Sequence, residues 1–219
     1  MSVILTAMAL QRFEKLSPDR KQRLLGIAAE EFAARGYDRA ALGVIAKKSG
    51  MGKASVYYYF ADKADLYATV LAEAWKKLST AGKVDLKTLT AETFWPEFET
   101  VTLKNLELCD REPWLLAVSK LLNRAIPNPT GKGVIGEYVE KRRAWEAAFI
   151  GRGQELGVVR RDVPPELLVT ISLGANHASN LWLLEHREEL GPKKSNHLAI
   201  QVFKIYCSIL SPTHTGIAF

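Results

Sequence analysis

The densest run of residues able to do chemistry lies between Lys53 and Lys63. It holds Lys53, Ser55, three consecutive tyrosines (Tyr57, Tyr58 and Tyr59) and Lys63. Consecutive residues of a helix point about 100° apart, so three adjacent rings cannot all face one core. At least one must meet solvent, and a phenol suits a surface that needs a polar tip on an apolar ring. Lys53 can donate to a guanine acceptor or to a phosphate, and Ser55 can bond to either. Tyrosine hydroxyls donate to phosphates while their rings pack on sugars and thymine methyls. Lys63 stands where a phosphate strand would pass beside such a helix. Lys47 and Lys48 fit either a phosphate-facing or a merely solvated face. The chemistry implied is non-covalent recognition of a polyanion.

Covalent chemistry finds little support. No HExxH, CxxC, glycine-rich phosphate loop or GxSxG is present, and the histidines at 177, 186, 197 and 214 are scattered. His186 and Glu189, with Glu185, could imitate an acid–base pair, but a charged helix end explains them. Two cysteines, Cys109 and Cys207, make neither a disulfide framework nor a zinc site. They read as small packed residues in a reducing compartment, so no metal or cofactor is expected.

Helices must position the 53–63 run. Ser17-Pro18-Asp19 opens the first, with a capping hydroxyl, a proline at the first turn and an acid at the positive end. Leu24, Ile27, Ala28 and Phe32 recur at helical spacing, and Gly36 stops the run. A second, short helix has Leu42, Ile45, Ala46 and Ser49 on its inner face and ends at Gly50. The turn Gly50-Met51-Gly52, with Met51 plugged inward, leads to a third helix over residues 53–59, anchored by Val56 and Phe60. A fourth begins at Asp62, with Asp65 three residues on, and ends in the polar stretch 79–87. Two short helices around a glycine turn make a helix-turn-helix, whose second helix enters a major groove. Further helical segments fall near 91–109, 113–124, 133–156, 164–187 and 195–210. Pro113, Pro127-Asn128-Pro129, Gly157, Pro164-Pro165 and Gly191-Pro192 separate them. No strand is expected.

The chain has 219 residues, 47% hydrophobic and 25% charged, which suits a globular protein with a sizeable core. Its net charge of +6 is unevenly spread. Residues 1–63 hold eleven Lys and Arg against six Asp and Glu, and the remainder nineteen against eighteen. Any nucleic-acid contact therefore belongs in the first third. The apolar stretch 1–10 lacks the basic start and cleavage site of a secretory signal. No window reaches the roughly 20 apolar residues of a membrane span. A cytoplasmic, nucleoid-associated protein without membrane contact is expected.

Residues 18–78 resemble the DNA-binding domain of the TetR/AcrR repressors. The resemblance lies in Ile27-Ala28-Ala29-Glu30-Glu31-Phe32 with Gly36-Tyr37. It continues through Ile45 to Phe60 and ends with Asp62-Lys63 and Leu66. It implies base or phosphate contacts at Lys53, Ala54, Ser55, Tyr57 and Tyr58, with Tyr59 and Lys63 on phosphate. Where the family often has Ser or Thr, this chain has Ala40, Ala41 and Gly52, and Ala54 replaces a frequent glycine. The motif should form with weaker capping.

The resemblance implies an all-α protein. Residues 1–16 form an N-terminal arm and 17–80 the DNA-binding domain, with the helix-turn-helix at 41–60. Residues 81–219 form a helical-bundle regulatory and dimerisation domain, with the fourth helix shared between the two. The implied function is a homodimeric regulator, a repressor released from a palindromic double-stranded operator by a small lipophilic or aromatic effector. Control by a partner protein instead, or an all-helical enzyme or carrier, stands as the alternative. Candidate ligand contacts are Phe94, Trp95, Phe98, Trp114, Trp145, Phe149, Asn176, His177 and Asn180, each of which also fits ordinary core packing. Ile171, Gly174, Ala175 and Ala178 form one candidate dimer stripe. Leu198, Val202, Ile205 and Ile209 form another; dimerisation is the favoured reading, and the alternative is that both stripes face a subunit's own core.

Overall fold

The computed structural model describes residues 12–125 and 134–212. The beginning of the N-terminal arm, the Pro127-Asn128-Pro129 breaker and His214 lie outside them. The described residues are helical and hold no strand. The helices are α1 (Pro18–Arg39), α2 (Leu42–Ser49), α3 (Lys53–Tyr59) and α4 (Lys63–Ala81), then α5 (Phe94–Arg111), α6 (Trp114–Ala125), α7 (Val134–Glu155) and α8 (Pro165–Leu210), with a 3-10 turn at Leu86–Thr88. They fall into two compact units. One takes residues to Ser79 and Arg111–Arg124; the other takes Thr80–Asp110 and the chain from Ala125 onward.

In the first unit α1 buries Leu24, Leu25, Ala28, Ala29 and Phe32. Pro18 sits at its start and Asp19 in its first turn, but Ser17 makes no side-chain cap. Helical geometry breaks at Gly36 before the short continuation to Arg39. Neither Ala41 nor Gly52 caps its helix through a side chain. Backbone bonds serve instead, Val44 and Ile45 donating to the Ala41 carbonyl at 3.0 and 3.2 Å. At Gly50 the chain turns with φ 73°, a left-handed conformation costly to any residue with a Cβ. The start of α4 is better served. Asp62 accepts from the Asp65 N–H at 2.9 Å, and Asp65 reaches back to the Ala61 N–H at 2.9 Å. Burial holds the Asp65 carboxyl above its ordinary pKa. It also pushes the Tyr67 phenol, edge-on to Phe32 at 4.9 Å, up to about 12.

The sequence pattern assigns everything past residue 80 to one second domain. Instead α6 joins the first unit through residue 124, because its apolar face is buried there. Leu115 and Val118 are sealed from solvent, and a Cβ on Gly26 would stand 3.6 Å from that of Trp114. The Trp114 indole N–H donates to Glu112 at 2.9 Å, and Glu112 pairs with Lys77 at 2.8 Å. The unit boundary falls within α4, between Ser79 and Thr80.

The second unit has its own core of Leu89, Phe94, Phe98, Phe149, Ile150, Val159, Leu168, Val169 and Leu210. Helix α8 is two helices in series, broken at Gly191-Pro192 where the glycine leaves helical geometry. Arg152 ties α7 to the loop after the 3-10 turn, donating to the Leu89 carbonyl at 2.8 Å.

Candidate nucleic-acid interface

Helix α3 is a short rod with one rooted side. Val56 is fully buried, and Phe60, just past its end, is 2% exposed. Their burial fixes which way the other side chains of the helix point. Lys53, Ala54 and Ser55 are all exposed at the start of the helix. Tyr57 and Tyr58 stand 49% and 56% exposed, while Tyr59 is half-buried with its ring edge-on to Tyr58 at 5.1 Å. The expectation that the triplet cannot share one core is met by this division. The arrangement offers an ammonium, a hydroxyl and two phenols on one helical surface, a donor set suited to phosphate oxygens and base edges.

Two lysines are less free than their positions promised. Lys63 donates to the carbonyls of Asp38 and Ala40 at 2.9 and 3.3 Å, and its ammonium lies 4.7 Å from the Tyr37 ring centroid. Of three N–H donors, one is left for anything else. Lys48 lies 3.8 Å from the buried carboxylate of Glu31, which Arg35 also approaches at 3.1 Å. Lys47 is exposed. One neighbour has no signal in the sequence at all. Arg12 donates to the Tyr58 carbonyl at 3.2 Å from 46 residues away, a contact no local pattern announces.

Comparison with known proteins decides what this helix-turn-helix belongs to. Residues 24–70 match the family of bacterial regulatory proteins named for tetR. Over those residues the chain is similar to the tetR family. Among curated relatives, the HTH-type transcriptional regulator QacR of Staphylococcus aureus is 31% identical over 91 residues, 35% of this chain and 48% of QacR. The HTH-type transcriptional activator FasR of Mycolicibacterium smegmatis is 35% identical over 72 residues, 33% of each chain. The matched region thus spans less than half the length of these relatives. Among solved structures, the fatty acid degradation regulator FadR of Bacillus halodurans is 17% identical, with a TM-score of 0.69. That match covers 88% of this chain and 96% of FadR, and shows that the all-α fold is shared along nearly the whole length.

The second unit gathers most of the candidate ligand contacts, but as a packed cluster. Phe94 stacks on Phe149 at 4.9 Å and meets Trp95 edge-on at 5.0 Å. Phe98 meets Phe149 edge-on at 4.5 Å, and Trp145 stacks on Phe149 at 5.6 Å. Trp114 is not among them, being buried in the first unit. Asn176 accepts from Arg142 at 2.7 Å and from Asn180 at 2.8 Å. The Nδ1 of His177 is buried and has no hydrogen-bond partner. A polar network with no sequence signature lies on α7 and α8. The buried Glu146 carboxylate accepts from the hydroxyls of Ser172 and Tyr206, which also bond to each other at 2.7 Å. Burial, with the Glu146 charge beside it, drives the Tyr206 phenol far above the ordinary range. Burial and then Glu99 raise the Cys207 thiol to about 12, so it is a poor nucleophile at neutral pH.

The two candidate dimer stripes differ in exposure. On the first half of α8, Ile171 is 40% exposed, Gly174 and Ala178 are exposed and Ala175 is half-buried. On the second half Ile205 is 61% exposed, while Leu198, Val202 and Ile209 are half-buried. Among the described residues, no helix is long and apolar enough to cross a membrane.

Proposed function

We infer that this protein is a DNA-binding transcription regulator that reads a palindromic operator as a homodimer. The observation that carries the reading is the exposed face of α3, where Lys53, Ser55, Tyr57 and Tyr58 stand clear of a helix rooted by Val56 and Phe60. One such helix buries too little surface to specify a site. Two, held roughly 34–36 Å apart, reach successive major grooves. Repression is carried over from the resemblance to the TetR/AcrR repressors. Because FasR is named an activator, a reporter with the operator placed over or upstream of its promoter separates the two signs.

The test is salt-dependent binding. A duplex of about 30 base pairs, long enough for two half-sites, is selected from a random pool with the wild-type protein. Its affinity should fall steeply with salt. Lys53→Ala should reduce the slope of log K against log salt by about 0.9 for each phosphate that the ammonium neutralises. With two subunits, the expected reduction is about 1.8. Equal affinity for the selected and a scrambled duplex at moderate salt would overturn the reading.

Dimerisation is proposed through α8. The exposed apolar side chains of Ile171 and Ile205 offer contact area, and the small Gly174 and Ala178, on the same helix half as Ile171, let a partner helix approach closely. Ile205→Glu should leave helix content unchanged and convert the dimer to monomer in sedimentation. A dimer as tight as wild type would move the interface elsewhere.

An apolar or aromatic effector, held in the second unit, would lower operator affinity by favouring a dimer with a different separation of its recognition helices. The aromatic cluster around Phe149 supports an apolar ligand, and the unpartnered His177 Nδ1 offers it one polar contact. Control by a partner protein is the second reading, supported by how far the rings of that cluster already fill one another. A thermal-shift screen with lipophilic compounds separates the two.

A further inference from the structure

The recognition helix α3 has no basic residue in its own last turn. The last carbonyls of any helix lack partners within it, and a basic side chain there is favourable both as a donor and against the helix dipole. Arg12 supplies that group from outside the helix. Its Nη1 donates to the Tyr58 carbonyl at 3.2 Å, and its guanidinium lies 4.8 Å from the centroid of the Tyr58 ring. Tyr59 meets the same ring edge-on. Tyr58 is therefore the most exposed of the three tyrosines and yet is held by two neighbours.

Arg12 is itself rooted. Phe13 is fully buried, its ring 5.5 Å from that of Phe60, and Leu16 is buried behind it. The backbone turns here through bonds from Lys15 to Arg12 at 3.1 Å and from Leu16 to Phe13 at 3.0 Å. Lys21 reaches over the Phe13 ring at 5.4 Å and pairs with Glu14 at 2.7 Å. The guanidinium thus projects from a fixed base onto the surface that would face a duplex. A side chain ordered before binding loses less rotamer freedom when it docks.

We propose that Arg12 is a positioning residue of the DNA-reading surface: it presets the Tyr58 ring and closes the C-terminal end of α3, acting on the duplex through Tyr58. The proposal rests on the DNA-binding reading above.

A double-mutant cycle tests it, using the duplex selected by the wild-type protein. Arg12→Ala and Tyr58→Ala should each weaken binding by about three- to tenfold, a range set by a partly exposed cation–π contact plus a helix-end bond. In the Tyr58→Ala background, which removes the ring but keeps the carbonyl, Arg12→Ala should weaken binding by clearly less than it does in the wild type. The salt slope should be unchanged by Arg12→Ala, and Arg12→Lys should restore part of the affinity. Generic unfolding would not produce that coupling, and Arg12→Met, which keeps the stem without the charge, guards against it by showing the same weakening. Additive effects, no effect, or a salt slope reduced by about 0.9 for each Arg12 would overturn the proposal, the last because Arg12 would then meet phosphate directly. If the wild-type protein enriches no duplex, the DNA-binding reading falls and this one with it.

Discussion

Phe60→Ala should abolish duplex binding although the side chain faces away from the proposed DNA surface. Phe60 is 2% exposed and packs against Phe13 at 5.5 Å. Its N–H caps α3 by donating to the Val56 carbonyl at 2.9 Å. Truncating a buried phenylalanine costs about 3–5 kcal/mol, through the forfeited transfer energy and the cavity left behind. A domain's whole stability is about 5–15 kcal/mol, so the helix-turn-helix would give up about a fifth of it or more. The expected result is a large drop in the urea midpoint, faster amide exchange over α3, and no binding at concentrations that saturate the wild type. Phe60→Leu should recover most of both. Tyr57→Ala is the complementary case. It should weaken binding while changing stability by less than about 0.5 kcal/mol, because the ring is half in solvent. If Phe60→Ala melts like the wild type, Phe60 does not anchor α3.

The helix-turn-helix is legible in sequence because everything that builds it is local. Gly50 ends α2 in a left-handed turn, Met51 lies half-buried, and Val56 and Phe60 recur on one side of a seven-residue helix. Periodicity detects such patterns directly. The helical segments of the second unit are legible for the same reason, down to the break at Gly191-Pro192. What escapes is long-range. Lys63 is expected on phosphate, but the end of α1 brings the carbonyls of Asp38 and Ala40 to its ammonium. Trp114 groups in sequence with the aromatics of the second unit, since a tryptophan's spacing does not say which core will take it. Glu146 meets Tyr206 across 60 residues. Arg12 meets Tyr58 across 46. None of these pairs has a sequence signature, and each alters what the site can do.

The same limit explains a prediction of opposite signs at two glycines that look alike in sequence. Gly151 and Gly153 both lie in α7, where a glycine costs up to about 1 kcal/mol against alanine. A Cβ on Gly151 meets nothing within 4 Å. Gly151→Ala should therefore stabilise the second unit by up to that amount. A Cβ on Gly153 would stand 2.3 Å from Val159 Cγ2, 2.9 Å from Phe94 Cζ and 3.0 Å from Val159 Cβ. The chain past α7 causes the crowding. It reverses at Gly157, and the N–H groups of Val158 and Val159 both return to the Gly153 carbonyl, at 2.9 and 3.1 Å. Val159 is thereby laid against the helix, where it is 1% exposed, and Phe94 is held by its stack on Phe149. Neither neighbour is the loose end of a flexible chain. Forcing a methyl into a filled core costs about 1–3 kcal/mol, more where backbone must move, and the helix-propensity gain offsets only part of it. Gly153→Ala should lower the thermal midpoint by several degrees, while Gly151→Ala raises it. Equal shifts for the two variants would mean that Val159 does not sit on Gly153. The aromatic cluster proposed to meet an effector would then be open at that end, because Val159 and Phe94 are what close it around Gly153.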